Sequence, residues 1–239
     1  SANRATADVN RCGELLKAAP NGWVMEYYVG KDYSLGGITL LCRFDGQRVT
    51  MASQMAEADE TVSSLYSVKS EQATMLSFDT YNYLVHYFGQ PQGSMSDDPN
   101  GTLGGDYEFI ISSASDERIE LKGKKYGNRI VMRALTEDQT WKQYLTKIKK
   151  VEDDAFFYEY DLLMDGLYTG QMLRSNYTFI VTYYDEIGKV HQKTVPFMFT
   201  ADGMRFHEPV TIDGQTMQNF VWKNELISFV CTDEGATGV

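Results

Sequence analysis

From Trp23 onward the chain alternates apolar and polar residues with a period of two, in short runs broken by turn-forming dipeptides. Successive side chains of a strand point to opposite faces, so this pattern buries one row of each run and wets the other. Trp23, Met25, Tyr27 and Val29 form the first row. Ile38, Leu40, Cys42 and Phe44 form the second, which stops at Asp45-Gly46, a dipeptide that tolerates the positive φ of a tight hairpin; Val49 and Met51 follow it. Met55 to Thr61 is polar and acidic and reads as a loop. Leu65 to Val68 and Met75 to Phe78 read as strands around Ser70-Glu71-Gln72. Three more alternating runs follow, Tyr107 to Ile111, Ile119 to Leu121 and Ile130 to Ala134. Beyond residue 176 the alternation returns through Tyr177, Phe179, Val181 and Tyr183, then Val195, Phe197 and Phe199 up to Asp202-Gly203, then Met217 to Trp222 and Leu226 to Cys231. The aromatic load of 16 Tyr, 12 Phe and 3 Trp against 5 Pro suits half-buried pleated surfaces.

Two stretches change period. Val9, Cys12, Leu15, Leu16 and Ala19 recur at helical spacing and are stopped by Pro20-Asn21-Gly22. Thr136-Glu137-Asp138-Gln139 matches a capping box, in which hydroxyl and amide side chains each satisfy an orphan backbone group, with Trp141, Tyr144, Leu145, Ile148 and Val151 as the apolar face behind it. The fold class expected is α+β, mainly β: antiparallel meander sheets with two short helices. The expected domains are two packed helix-plus-meander modules, 1–135 and 136–239, the second with about five strands; curved sheets or an incomplete barrel suit the strand spacing, and one continuous sandwich is the alternative. The similarity of Tyr107 to Ile111 with Tyr177 to Val181 is a slender basis for an internal repeat.

With 33 acidic and 22 basic residues the chain carries a net charge of −11, which repels a phosphate backbone and argues against nucleic acid as a partner. The two basic groupings, Lys122 to Arg133 and Lys142 to Lys150, read as wet faces of a hairpin and a helix. No apolar run approaches the roughly 18 residues of a membrane-spanning helix. Cys12, Cys42 and Cys231 each sit in an apolar pattern and read as buried free thiols, with one bridge and one free thiol as the alternative. The chain opens at Ser1 without Met, which leads one to expect that a leader has been removed.

Leu15-Leu16, Ala19-Pro20-Asn21-Gly22-Trp23, Met25-Glu26-Tyr27-Tyr28, Leu76-Ser77-Phe78-Asp79-Thr80-Tyr81-Asn82, His86-Tyr87-Phe88, Gly104-Gly105-Asp106-Tyr107-Glu108-Phe109 and Leu121-Lys122-Gly123-Lys124-Lys125-Tyr126-Gly127-Asn128 together resemble exported lipoproteins of Bacteroides-type gut bacteria classed as a domain of unknown function, DUF4302. The resemblance covers nearly the whole chain, most clearly residues 12–135. It implies a lipidated cysteine upstream of Ser1 and a place in the cell envelope at the outer membrane. It brings no activity and no catalytic residues.

Candidate sites therefore rest on chemistry. Trp23, Tyr81, His86 and Tyr87 could line a stacking surface for a sugar or a peptide beside the Gly-, Pro- and Asp-rich stretch 89–105; the alternative is that the rings fill space. Asp97, Asp98, Asn100 and Asp106 offer hard oxygens for Ca²⁺, although their spacing matches no EF-hand and such residues are also ordinary turn formers. Glu152, Asp153, Asp154, Glu159 and Asp161 could supply a hydrolase pair, but any acidic chain offers such pairs. His191 and His207 are isolated, and no nucleophile elbow, Walker loop or dinucleotide fingerprint occurs. These readings point to a non-catalytic envelope protein that binds an extracellular ligand, a glycan or a partner protein of an uptake system, with a hydrolase as the alternative.

Overall fold

The computed structural model describes residues 2–86, 105–136 and 138–233. They form a mainly-β α+β protein of two compact units: one takes the chain up to Tyr33 with Ile38–Trp141, the other takes Ser34–Gly37 and the chain from Lys142.

The first unit is a closed antiparallel barrel of eight strands in sequence order. These are β1 (Trp23–Val29), β2 (Gly36–Phe44), β3 (Arg48–Ser53), β4 (Val62–Ser70), β5 (Thr74–Phe78), β6 (Glu108–Ala114), β7 (Arg118–Gly123) and β8 (Arg129–Ala134). Closure comes from β1 against β8, with Trp23 opposite Ala134, Met25 opposite Met132 and Tyr27 opposite Ile130. The same register logic carries one row of side chains around the inside: Cys42 faces Met51, Tyr66 faces Phe78, Leu76 faces Phe109 and Leu121 faces Ile130. An eight-stranded barrel is just wide enough for its own side chains. Trp23, Met25, Tyr27, Cys42, Met51, Phe109 and Met132 are all fully buried, and rings meet edge to face at Tyr27–Phe109 (6.1 Å) and Phe78–Phe109 (5.9 Å). The interior is a core.

Helix α1 (Ala2–Ala18) lies over the end at which β1 begins. Its Asp8 accepts a hydrogen bond from Thr74 Oγ1 (2.5 Å) in the β4–β5 hairpin, Arg11 donates to the carbonyl of Ala114 (2.9 Å), and the Leu16 carbonyl accepts the Trp23 indole N–H (3.0 Å). The hairpin at Asp45-Gly46 forms as expected, with the Asp45 carboxylate accepting from the amides of Gln47 and Arg48. Those two donors hold its carboxyl below the usual carboxylate range.

The second unit carries α3 (Trp141–Asp154) and a seven-stranded antiparallel meander in the order β15 to β9. Its strands are β9 (Glu159–Met164), β10 (Leu167–Ser175), β11 (Thr178–Tyr184), β12 (Val190–Phe199), β13 (Gly203–Ile212), β14 (Gln215–Lys223) and β15 (Ser228–Cys231). Two of the seven, β9 and β10, exceed the sequence reading of about five. Their alternation is masked by Leu163, Leu167 and Tyr168, apolar residues left exposed, and by a register shift between Tyr168 and Gly170. The turn between them is Asp165-Gly166, both at positive φ (53° and 75°), the same signal as at Asp45-Gly46.

The second helix also starts later than its capping box predicts. The Leu135 amide still donates to the Gly22 carbonyl (3.0 Å), so the chain is held in the barrel ladder up to the residue before Thr136. The helix begins at Trp141, directly after Thr140, and Thr140-Trp141-Lys142-Gln143 repeats the capping pattern one turn further on. A short third helix, α2 (Tyr83–His86), occupies the aromatic segment whose period was ambiguous. The stretch 89–104 lies outside the described residues. All three cysteines are buried free thiols, and burial pushes the Cys42 thiol well up.

Trp23 joins the helix, the barrel seam and the core. Replacing it by Ala is expected to cost about 3–5 kcal/mol, the usual range for emptying a large aromatic site, measured by guanidinium unfolding; a loss under about 1 kcal/mol would mean that the barrel end tolerates the void.

Candidate functional site

Trp23 and Tyr81, singled out together from the sequence, do not share one surface. Trp23 is fully buried with its indole N–H satisfied, so no face of it is open to a ligand. Tyr81 is 61% exposed but follows the end of β5, whereas Trp23 begins β1. In this barrel β1 and β5 run the same way, so the two rings stand at opposite ends. His86 closes α2. Tyr87, Asp97, Asp98 and Asn100 lie outside the described residues.

Asp106 is buried and anchors the backbone. Its carboxylate accepts from the amides of Lys125 (2.8 Å) and Tyr126 (3.3 Å), and its own amide donates to the Tyr27 hydroxyl (2.7 Å). Gly123 is required beside it, because a β-carbon there would overlap the carboxylate. This ties the β7–β8 turn to the end of the barrel at which β1 finishes, where Asn128 also donates to the Gly30 carbonyl (2.9 Å). Two lone-pair directions of Asp106 are thus spent on amides, while the other proposed calcium ligands lie outside the described residues. Among the described residues no group of three or more His, Cys, Asp or Glu side chains is placed to hold a metal.

The proposed carboxylate pairs are dispersed as well. Glu152, on α3, accepts from the Tyr177 hydroxyl (2.6 Å), and Asp154 pairs with Lys150 (2.7 Å). Glu159 and Asp161 sit two residues apart on the outward row of β9. His191 stacks on Tyr183 (5.1 Å) and bonds Asp185 (2.8 Å), closing the β11–β12 hairpin. Basic residues of the barrel are engaged with acids, as in Lys124–Glu71 and Arg118–Glu120.

What the structure does assemble is an aromatic cleft in the second unit. A flat seven-stranded sheet would hold its edge strands roughly 29 Å apart, six spacings of about 4.8 Å. Here Tyr160 of β9 and Phe229 of β15, the two edges, have ring centroids 6.0 Å apart. The sheet is therefore curled around an aromatic interior, in which Phe179 stacks on Phe197 (4.4 Å) and Tyr160 meets Phe179 edge to face (5.7 Å). Arg174 enters that cluster with its guanidinium 5.0 Å from the Phe199 ring centre and 5.4 Å from Tyr177, a cation held over ring faces.

Between the two edges a cleft of 290 Å³ remains open. Its floor is Tyr160, Met172, Phe179, Met204 and Phe229, and Phe157 stands at its mouth, stacked on Phe156 at 5.0 Å. Glu159, Asp161 and Leu163 run along one side, Ile227 and Ser228 along the other. Burial pushes the Tyr160 phenol up to about 12, and its hydroxyl donates to the Ala155 carbonyl (2.8 Å), so it is a neutral platform rather than a base. Glu159 and Asp161 have no ion-pair partner among the described residues. The sequence signals for this site were Phe156-Phe157-Tyr158 and Asp165-Gly166.

The described residues define a mainly-β protein of two units, one a filled barrel and the other a curled sheet with a concave aromatic cleft. The chain belongs to the DUF4302 family, a domain of unknown function, which it matches over residues 1–224. No curated protein and no solved structure matches it.

Asp106 supplies a pH test of its structural role. Burial outweighs its two amide bonds and raises its carboxyl above the usual carboxylate range. A raised carboxylate favours the folded state when protonated, so its contribution weakens as pH climbs from the ordinary carboxylate value through the raised one. In urea titrations across that window, the stability of Asp106→Asn minus wild type is expected to increase with pH; a difference that falls with pH would contradict the assignment.

Proposed function

We propose that the protein is a non-catalytic, lipid-anchored protein of the cell envelope, at the outer membrane, that captures an extracellular ligand in the cleft between β9 and β15. The envelope setting is supported by the resemblance to exported Bacteroides-type lipoproteins, read together with membership of the family. The binding reading is carried by one observation: the rings of Phe157, Tyr160 and Phe229 converge on one open concavity. Rings with few rotamers gain contact with little loss of freedom, and they suit ligands that present an apolar face, whether the C–H face of a sugar or the side chains of a partner protein in an uptake system.

The test is a thermal-shift panel of soluble glycans and peptides against the whole chain. A ligand at about a hundred times its dissociation constant adds about 2.7 kcal/mol to stability. The shift is expected to vanish in Phe157→Ala, whose parent ring is already 37% exposed and so not a core element. A ligand whose shift survives both Phe157→Ala and Tyr160→Ala would place binding elsewhere and overturn the reading.

A further inference from the structure

Consecutive strands of an antiparallel meander alternate in direction. The first and last of eight then run oppositely and can pair, which is how β1 and β8 close the barrel. The first and last of seven run the same way. A parallel seam between β9 and β15 does not form: although curled to within ring contact of each other they are not hydrogen-bonded together, and among the described residues each keeps one row of backbone N–H and C=O groups unpaired with any strand. One additional strand, antiparallel to both, would satisfy both rows at once.

The two edges leave room for a strand of matching chemistry. Neither Glu159–Met164 nor Ser228–Cys231 contains Lys or Pro, and the register shift lies on the β9–β10 side, away from the open edge. The outward row of β9 instead carries the unpaired carboxylates of Glu159 and Asp161, while the inward row carries Tyr160 and Leu162. A strand inserted here meets aromatic and apolar contacts on one face and negative charge on the other.

We infer that the cleft takes an extended peptide segment of a partner protein as an eighth strand, antiparallel to β9 and β15, with apolar side chains turned in over Tyr160 and Phe229 and basic side chains turned out beside Glu159 and Asp161. This rests on the reading of the cleft as the binding site and names its occupant. With β9 at six residues and β15 at four, the segment is about five residues, or roughly 17 Å at the usual strand rise. Main-chain bonds supply affinity and the alternating side chains supply selectivity, as in other strand-addition sites. A glycan would fill the same cleft yet leave both rows of amides and carbonyls without strand partners.

The probe is a capped hexapeptide of alternating lysine and valine, titrated calorimetrically into the whole chain and followed by amide hydrogen exchange. It is expected to bind and to slow exchange in both β9 and β15. N-methylation of alternate peptide amides, which blocks strand pairing but keeps charge and side chains, is expected to weaken binding about ten-fold or more. Glu159→Gln with Asp161→Asn should weaken it several-fold at low salt without changing the melting temperature, because both groups are exposed and unpaired. Absence of binding up to about 1 mM, binding indifferent to N-methylation, or protection of only one edge would each overturn strand addition. If a glycan binds and loses its shift in Phe157→Ala while the peptide does not bind, strand addition fails and the cleft remains the site; if no ligand binds at the cleft, both fail.

Discussion

The barrel depends on the pairing of β1 with β8. Every other ladder in the protein joins neighbours in sequence, but this one joins Trp23 to Ala134 and so decides whether the first unit has edges at all. Closure forces the inward rows of all eight strands to share one narrow space, which explains why Cys42, Met51 and Tyr27 are fully buried and why the interior has become a core. It also fixes two ends. One is covered by α1 through Asp8, Arg11 and Leu16, and at the other Tyr27 and Gly123 hold Asp106 in place.

The second unit uses the same grammar with one strand fewer. Its sheet curls for the same reason, to bury the row that includes Phe179, Phe197 and Phe199, but its first and last strands stay unpaired with each other. The similarity between Tyr107 to Ile111 and Tyr177 to Val181 falls on the sixth strand of one sheet and the third of the other, so it reflects the common demands of an inward aromatic row rather than a repeated module.

Much of the strand content was legible because period-two rows and Asp-Gly turns are local. Asp45-Gly46 and Asp202-Gly203 were read as turns and are turns, and the free buried thiols were read from their apolar settings. Asp165-Gly166 escaped because Leu163, Leu167 and Tyr168 keep apolar side chains on the wet face, which erases the alternation around it. The site was less legible. Trp23 looked available because a sequence shows residue type without showing that the Leu16 carbonyl and the barrel floor claim the indole. The backbone role of Asp106 was hidden because its amide partners, Lys125 and Tyr126, lie on another hairpin. The cleft itself depends on two edge strands at opposite ends of the unit meeting through Tyr160 and Phe229, a relation no local pattern records.

The β1–β8 seam also sets a clock. Hairpins such as β10–β11 close within about 1–10 μs once both strands exist, whereas Trp23, Met25 and Tyr27 have no final partner until Ala134 has been made. At the usual synthesis rate of about 5–20 residues per second that wait is on the order of ten seconds. Throughout it β1 is a naked apolar edge, so the first unit, the better sealed of the two when finished, is the one more exposed to misassociation while the chain is being born.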